Sequence, residues 1–250
     1  MILTIASREL RSLFLSPLAW SLLAVTQFIL AWLFLVQLDG FLQIQPRLAA
    51  MEGAPGLTDL VAAPLLDNAA IIVLLLVPLL AMRLISEELR SGTFSLLLSA
   101  PVSMTQIVLG KYLGLLGMLA VILMLTAAMP LSLLAGGSLD PGKLAAGLLG
   151  LGLVLAAAAA AGLFMSTLSP QPAVAAVGAY GLLLFLWLIN LATGAGGEGS
   201  ALFAWLSMST HFERLLSGLV RASDLAYYLL FITGFLALAI RRLDSLRTGA

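Results

Sequence analysis

The sequence has no cysteine and a single histidine, and only 10% of its 250 residues are charged. Without cysteine there is no disulfide, thiolate zinc site, thiol nucleophile or S-palmitoylation. One imidazole, His211, without clustered carboxylates makes a poor metal site or pH sensor, so a structural role at the outer face is the preferred reading. Lysine plus arginine and aspartate plus glutamate number twelve each. A net charge of zero leaves no electrostatic footprint for nucleic acid and no polybasic surface for lipid. What is abundant is apolar: 62% of residues, with a mean hydropathy of +1.12. Soluble domains hold roughly half apolar and a quarter charged residues. A core of this size cannot hide the excess, so lipid must be the solvent for much of the chain.

A phosphate-cradling loop is also missing. The nearest approach is Gly137-Ser138-Leu139-Asp140-Pro141-Gly142-Lys143. It puts Leu144 where Ser or Thr should hold magnesium and Pro141 where a backbone donor is needed, in a short loop between two spans. The chain reads as non-catalytic and without a cofactor of its own, so ATP and magnesium would have to be bound by a partner chain.

Apolar stretches long enough to cross roughly 30 Å of hydrocarbon fall at 18–38, 69–85, 107–134, 144–168, 173–193 and 225–240. The expectation is an all-α membrane protein, one transmembrane domain of six helices over residues 1–250. The first run is too long for a signal-peptide core and has no small-residue cleavage pattern, so it is read as a retained span. Pro78 should kink the second. With the N-terminus inside, Arg8, Arg11, Arg83, Arg90, Lys111, Arg241, Arg242 and Arg247 lie inside, and only Arg47, Lys143, Arg214 and Arg221 outside. That bias places both termini in the cytoplasm. The fourth span carries Ala156 to Ala161 with Gly147, Gly150, Gly152 and Gly162. Small residues let backbones approach closely, so burial between helices is expected rather than lipid-facing filler. The amides Gln27, Gln37 and Asn190 are expected to join helices rather than line a path, and Asp67-Asn68 sits near a span end.

Residues 1–16 place Leu3, Ala6, Leu10, Leu13 and Phe14 on one helical face and Thr4, Ser7, Arg8 and Arg11 on the other. Such a helix suits the inner interface, ahead of a turn at Pro17. Outside, residues 39–64 read as a long loop. Residues 194–224 read as another, in which Leu202 to Val220 form one or two short helices on the outer face.

The densest polar segment is the inner loop 86–106, together with Arg83 before it. Arg83, Glu87 and Arg90 stand at i, i+4 and i+7, so a helix would carry them as a ladder on one face. Gly92 can end that helix. Phe94 and Leu96 to Leu98 then make a short apolar helix that Pro101 stops, and Ser103 can cap the third span. A solvated loop whose charges only enforce topology remains the plain alternative.

Glu87-Glu88-x-Arg90-x-Gly92-Thr93-x-x-Leu96-Leu97-Leu98-x-Ala100-Pro101-Val102-Ser103, followed by Ile107-Val108-Leu109-Gly110-Lys111, resembles the signature after the second span of ABC-2-type permeases. Ser95 departs from it, standing where members often carry an acidic residue. Gly162 to Ser169 resembles the end of the family's fourth span. His211 to Gly218 with Asp224 to Tyr228 and Arg241-Arg242 resembles the end of the gliding-motility-type subgroup. The resemblance implies a six-helix permease half of the bacterial inner membrane, which dimerises and is driven by a separate ATP-binding cassette subunit. It implies coupling through Arg83, Glu87, Glu88, Arg90, Gly92, Thr93, Phe94, Leu97 and Pro101. Export is the expected direction. The alternatives are an ATP-driven force transmitter or anchor for an outer accessory subunit, and an ion-coupled secondary transporter.

Overall fold

The computed structural model describes residues 1–48, 55–93, 102–135, 139–189 and 200–248, and among them there is no strand. The helices are α1 (Ile2–Leu15), α2 (Pro17–Leu48), a π-turn (Thr58–Ala62) running into α3 (Ala63–Ala81), α4 (Arg83–Ser91), α5 (Met104–Ser132), α6 (Pro141–Leu168), α7 (Pro172–Leu188), α8 (Ser200–Leu206), α9 (Met208–Leu216) and α10 (Ala222–Thr248). Five helical stretches are long and apolar enough to cross a membrane: α2, the run from Thr58 to Ser91, α5, α6 and α10. The sixth, α7, has 17 residues, about 25 Å at 1.5 Å per residue. Residues 190–193 of the expected fifth span lie outside the described residues.

Two stretches expected as loop are helical. Residues 39–48 continue α2 without a break, and the π-turn supplies residues 58–62. Nothing there stops a helix: Gln43 Nε2 donates to Asp39 Oδ2 at 2.8 Å one turn back, and Pro46 falls in the last turn. At 32 residues α2 is about 48 Å long, so part of it stands beyond the hydrocarbon. The last helix likewise continues past Ile240 to Thr248. Pro78 lies inside α3, and the change to α4 comes a turn later, at Met82. The loop following α7 ends in two short helices, α8 and α9, within the stretch expected to hold one or two.

The alanine-rich helix α6 is the centre of the bundle, packed by α3, α5, α7, α9 and α10. Ala157 to Ala161 are fully buried. A Cβ built on Gly162 would lie 2.6 Å from Ala81 Cβ, and one on Gly147 would lie 2.7 Å from Leu66 Cδ1. Small side chains therefore set the α3–α6 distance, which dispersion contacts then exploit. Tyr112 Oη donates to Ala156 O at 3.1 Å, and Ser86 Oγ to Ser166 O at 2.9 Å, pinning α5 and α4 to the same helix.

The N-terminal helix corrects an expectation. Its polar face of Thr4, Ser7, Arg8 and Arg11 is exposed, but its other face is seated on α5 rather than resting in lipid alone. Gly110, Gly114 and Gly117 form the seat. Cβ atoms there would lie 2.7 Å from Ile5 Cβ, 2.9 Å from Ala6 O and 3.0 Å from Leu10 Cδ1, respectively. Leu3, assigned to the apolar face, is 77% exposed, and Ile5 takes its place. Trp20 Nε1 donates to Phe14 O at 2.6 Å and holds the corner into α2. Gly114→Val is expected to lift α1 from α5 and to cost about 1–3 kcal/mol, the range for overpacking, because a backbone carbonyl cannot yield. Faster proteolysis within α1 in native membranes would show it. An unchanged rate would mean the close approach is not needed.

Candidate functional site

The polar loop behaves locally as its residues dictate. Leu84, Ile85 and Ser86 are buried, leaving Arg83, Glu87 and Arg90 on the exposed side of α4. Gly92 adopts φ +72° and ends the helix, a conformation that costs glycine nothing. Thr93 follows, its hydroxyl 2.8 Å from Ser91 Oγ. Ser103 caps α5 by accepting from Gln106 N at 3.3 Å. Phe94, Leu97, Pro101 and the short apolar helix expected from Phe94 to Ser99 lie outside the described residues.

Of the ladder, one rung forms. Arg83 Nε donates to Glu87 Oε2 at 3.3 Å, with side chains 42% and 57% exposed; such a pair contributes a few tenths of a kcal/mol. Arg90 does not extend it and instead borders a cavity against the start of α7. Glu88, next in sequence to Glu87, points about 100° around the helix and into the protein.

There it meets a residue that sequence reasoning quoted but did not place in the site. Lys111 of α5 is 4% exposed. Its Nζ lies 2.8 Å from Glu88 Oε1 on α4 and 3.3 Å from Glu9 Oε2 on α1. One buried cation thus joins three helices, and the two carboxylates keep it charged where a lone ammonium would be too costly. Glu88 Oε2 is buried without a hydrogen bond, so Glu88 depends on Lys111 for its compensation. The available signal was an ionisable residue eight positions into an apolar helix, which requires a partner. Its partners, 23 and 102 positions away, leave no local pattern.

At the other end of the bundle the partial phosphate loop is a helix start. Asp140 Oδ1 accepts from Gly142 N at 2.9 Å and Lys143 N at 3.1 Å, capping α6 ahead of Pro141. Lys143 Nζ is paired with Asp59. Its lysine is thus engaged with a carboxylate rather than held ready for phosphate.

His211 is buried in a knot of α8, α9 and α10. Its Nδ1 is 2.6 Å from Asp224 Oδ1, its Nε2 is 2.8 Å from Trp205 O, and its ring stacks on Tyr227 at 4.1 Å. Arg214 Nη1 donates to the same Asp224 oxygen at 2.8 Å. A carbonyl and an ionised carboxylate only accept, so both ring nitrogens donate and the ring is an imidazolium. Tyr227 Oη donates to Leu206 O at 2.8 Å and Tyr228 Oη to Met208 O at 3.0 Å. These contacts fill the structural role expected of His211.

Of the membrane-depth amides, Gln27 joins helices, donating from Nε2 to Ile122 O at 3.3 Å across α2 and α5. Asn68 donates within its own helix, to Pro64 O at 2.8 Å. Asn190 lies outside the described residues.

A family comparison identifies this arrangement. The model described as ABC-2 family transporter protein matches residues 3–245. A search of curated proteins finds no match. A helical, multi-pass chain matched over nearly all its length to that model, with a polar junction at one end of an apolar bundle, belongs to the ABC-2 family of transporter proteins and is the membrane permease component of an ABC transporter.

Proposed function

We propose that this permease is one half of an exporter of the bacterial inner membrane, with both termini in the cytoplasm, and that α4 with the residues after it receives the push of a separate ATP-binding cassette subunit. The observation that carries this reading is the Lys111 junction. A rigid element that moves under load must be fastened to the spans it drives, and α4 is fastened to α5 through Glu88–Lys111 and to α6 through Ser86–Ser166. Glu87 and Arg83 remain exposed on the face away from those ties and are the coupling contacts. Phe94, Leu97 and Pro101 extend the same surface. Nucleotide and magnesium are held by the ATP-binding partner, and a second permease copy completes the pathway. The gliding-motility-type assignment rests on the resemblance at residues 211–218 and 224–228.

The division of roles within one helix is testable. In the reconstituted complex, Glu87→Ala is expected to weaken stimulation of the ATPase by up to about fivefold, the equivalent of an exposed charged contact, at unchanged melting temperature. Unaltered stimulation and assembly would remove the Arg83–Glu87 face from the coupling surface. A second reading, force transmission to an outer accessory subunit without transport, is favoured by the outward extension of α2 to Leu48. Copurification of an outer protein that Gln43→Arg displaces, with no substrate accumulating in vesicles, would support it over export.

A further inference from the structure

Between the α4 end of α3 and the first turns of α7 lies a cavity of about 700 Å³, walled by Leu79, Met82, Ala173 and Ala176 and bordered by Arg90 and Gln171. A smaller cavity of about 350 Å³ adjoins it through Arg90 and Pro172, and it also meets Arg83 and Glu87. Charge in this region does not cancel. Arg83 is paired with Glu87, whereas Arg90 has no ion pair among the described residues. The cap residue of α7, Gln171, makes no side-chain hydrogen bond to that helix, so the positive end of the helix dipole adds to the guanidinium. Beside the cavity α7 presents Val174 and Val177, 53% and 70% exposed, a surface suited to hydrocarbon. Apolar walls, an uncompensated cation at the rim and an adjoining bilayer together describe an amphiphile with an anionic head.

We propose that this cavity binds the phosphate headgroup of an anionic phospholipid, with Arg90 as the phosphate ligand and Leu79, Met82, Ala173 and Ala176 receiving the first acyl carbons. A soluble phosphate would satisfy Arg90 but leave the apolar walls wet, which is why a lipid is the occupant. The site needs no ATP-binding partner, so its failure and the failure of the coupling assignment are separate results.

The test uses the full chain in detergent micelles, with native mass spectrometry during titration by dioleoyl phosphatidylglycerol or dioleoyl phosphatidylcholine. Phosphatidylglycerol is expected to bind more tightly. Arg90→Gln should weaken it about fivefold, the effect of one basic residue at a lipid surface. Arg8→Gln, which removes an equally exposed charge from α1, should not. Ala173→Leu narrows the cavity without touching charge and should weaken both lipids. Arg90 and Ala173 are exposed, so neither substitution threatens folding. Equal binding of the two lipids, equal losses in Arg8→Gln and Arg90→Gln, no effect of Ala173→Leu, or displacement by millimolar inorganic phosphate would each overturn the proposal.

Discussion

Replacing Lys111 by methionine is expected to release α1 and α4 from α5 together, at a cost of about 2–3 kcal/mol. Removing one member of a buried ion pair typically costs about 3–5 kcal/mol. Here the carboxylates are 19% and 24% exposed, and water softens the loss. Thermal unfolding of the purified chain measures the cost. A cysteine pair across α1 and α5 should also crosslink more slowly. The decisive control is the triple change Lys111→Met with Glu9→Leu and Glu88→Leu. Hydrophobic replacement of a whole buried network is often neutral, so stability should return. If ATPase coupling stays low when stability is restored, the charges act in transmission. If coupling returns with stability, Lys111 is only a fastening. A single Lys111→Met chain that melts like the parent would show that the three-helix junction contributes nothing.

Asp224→Ala should be more damaging still. Asp224 is fully buried and compensates both the His211 imidazolium and Arg214. Its loss leaves the imidazolium buried without a counter-charge, at about 3–5 kcal/mol. The knot of α8, α9 and α10 is expected to open before the rest of the bundle, because α6 packs independently of it. Proteolysis between Ser200 and Leu219 would report that opening, alongside the fall in melting temperature. Asp224→Asn keeps an acceptor and the volume but not the charge, so it should fall between the parent and the alanine variant. Equal stability of asparagine and parent chains would mean that His211 is neutral, against the donor geometry.

Much of the fold was legible because lipid limits the choices. A chain that cannot hydrogen-bond to solvent must close its backbone bonds within each segment, so apolar run length translates into helices. The ends were less legible. Residues 39–48 looked like a loop because polarity rises there, yet a helix leaving the membrane keeps its hydrogen bonds in water as readily as in lipid. The caps were correctly read at Gly92 and Ser103, since each depends on neighbours within three positions. At the candidate site, the Arg83–Glu87 rung was visible at helical spacing. The inward turn of Glu88 and the departure of Arg90 were not.

The amino-acid sequence alone determined that this is a helical membrane protein, where its spans lie within a few turns, and which segment concentrates polar groups outside them. Those properties follow from local hydrophobicity and from interactions spanning one helical turn. Only the tertiary structure decided that Lys111 joins Glu9 and Glu88, that α1 is seated in a glycine groove rather than adrift in the interface, and that His211 donates from both nitrogens. Periodicity assigns a residue to a face of its helix. Which helix covers that face depends on close packing among small residues far apart in the chain, and no local pattern encodes it.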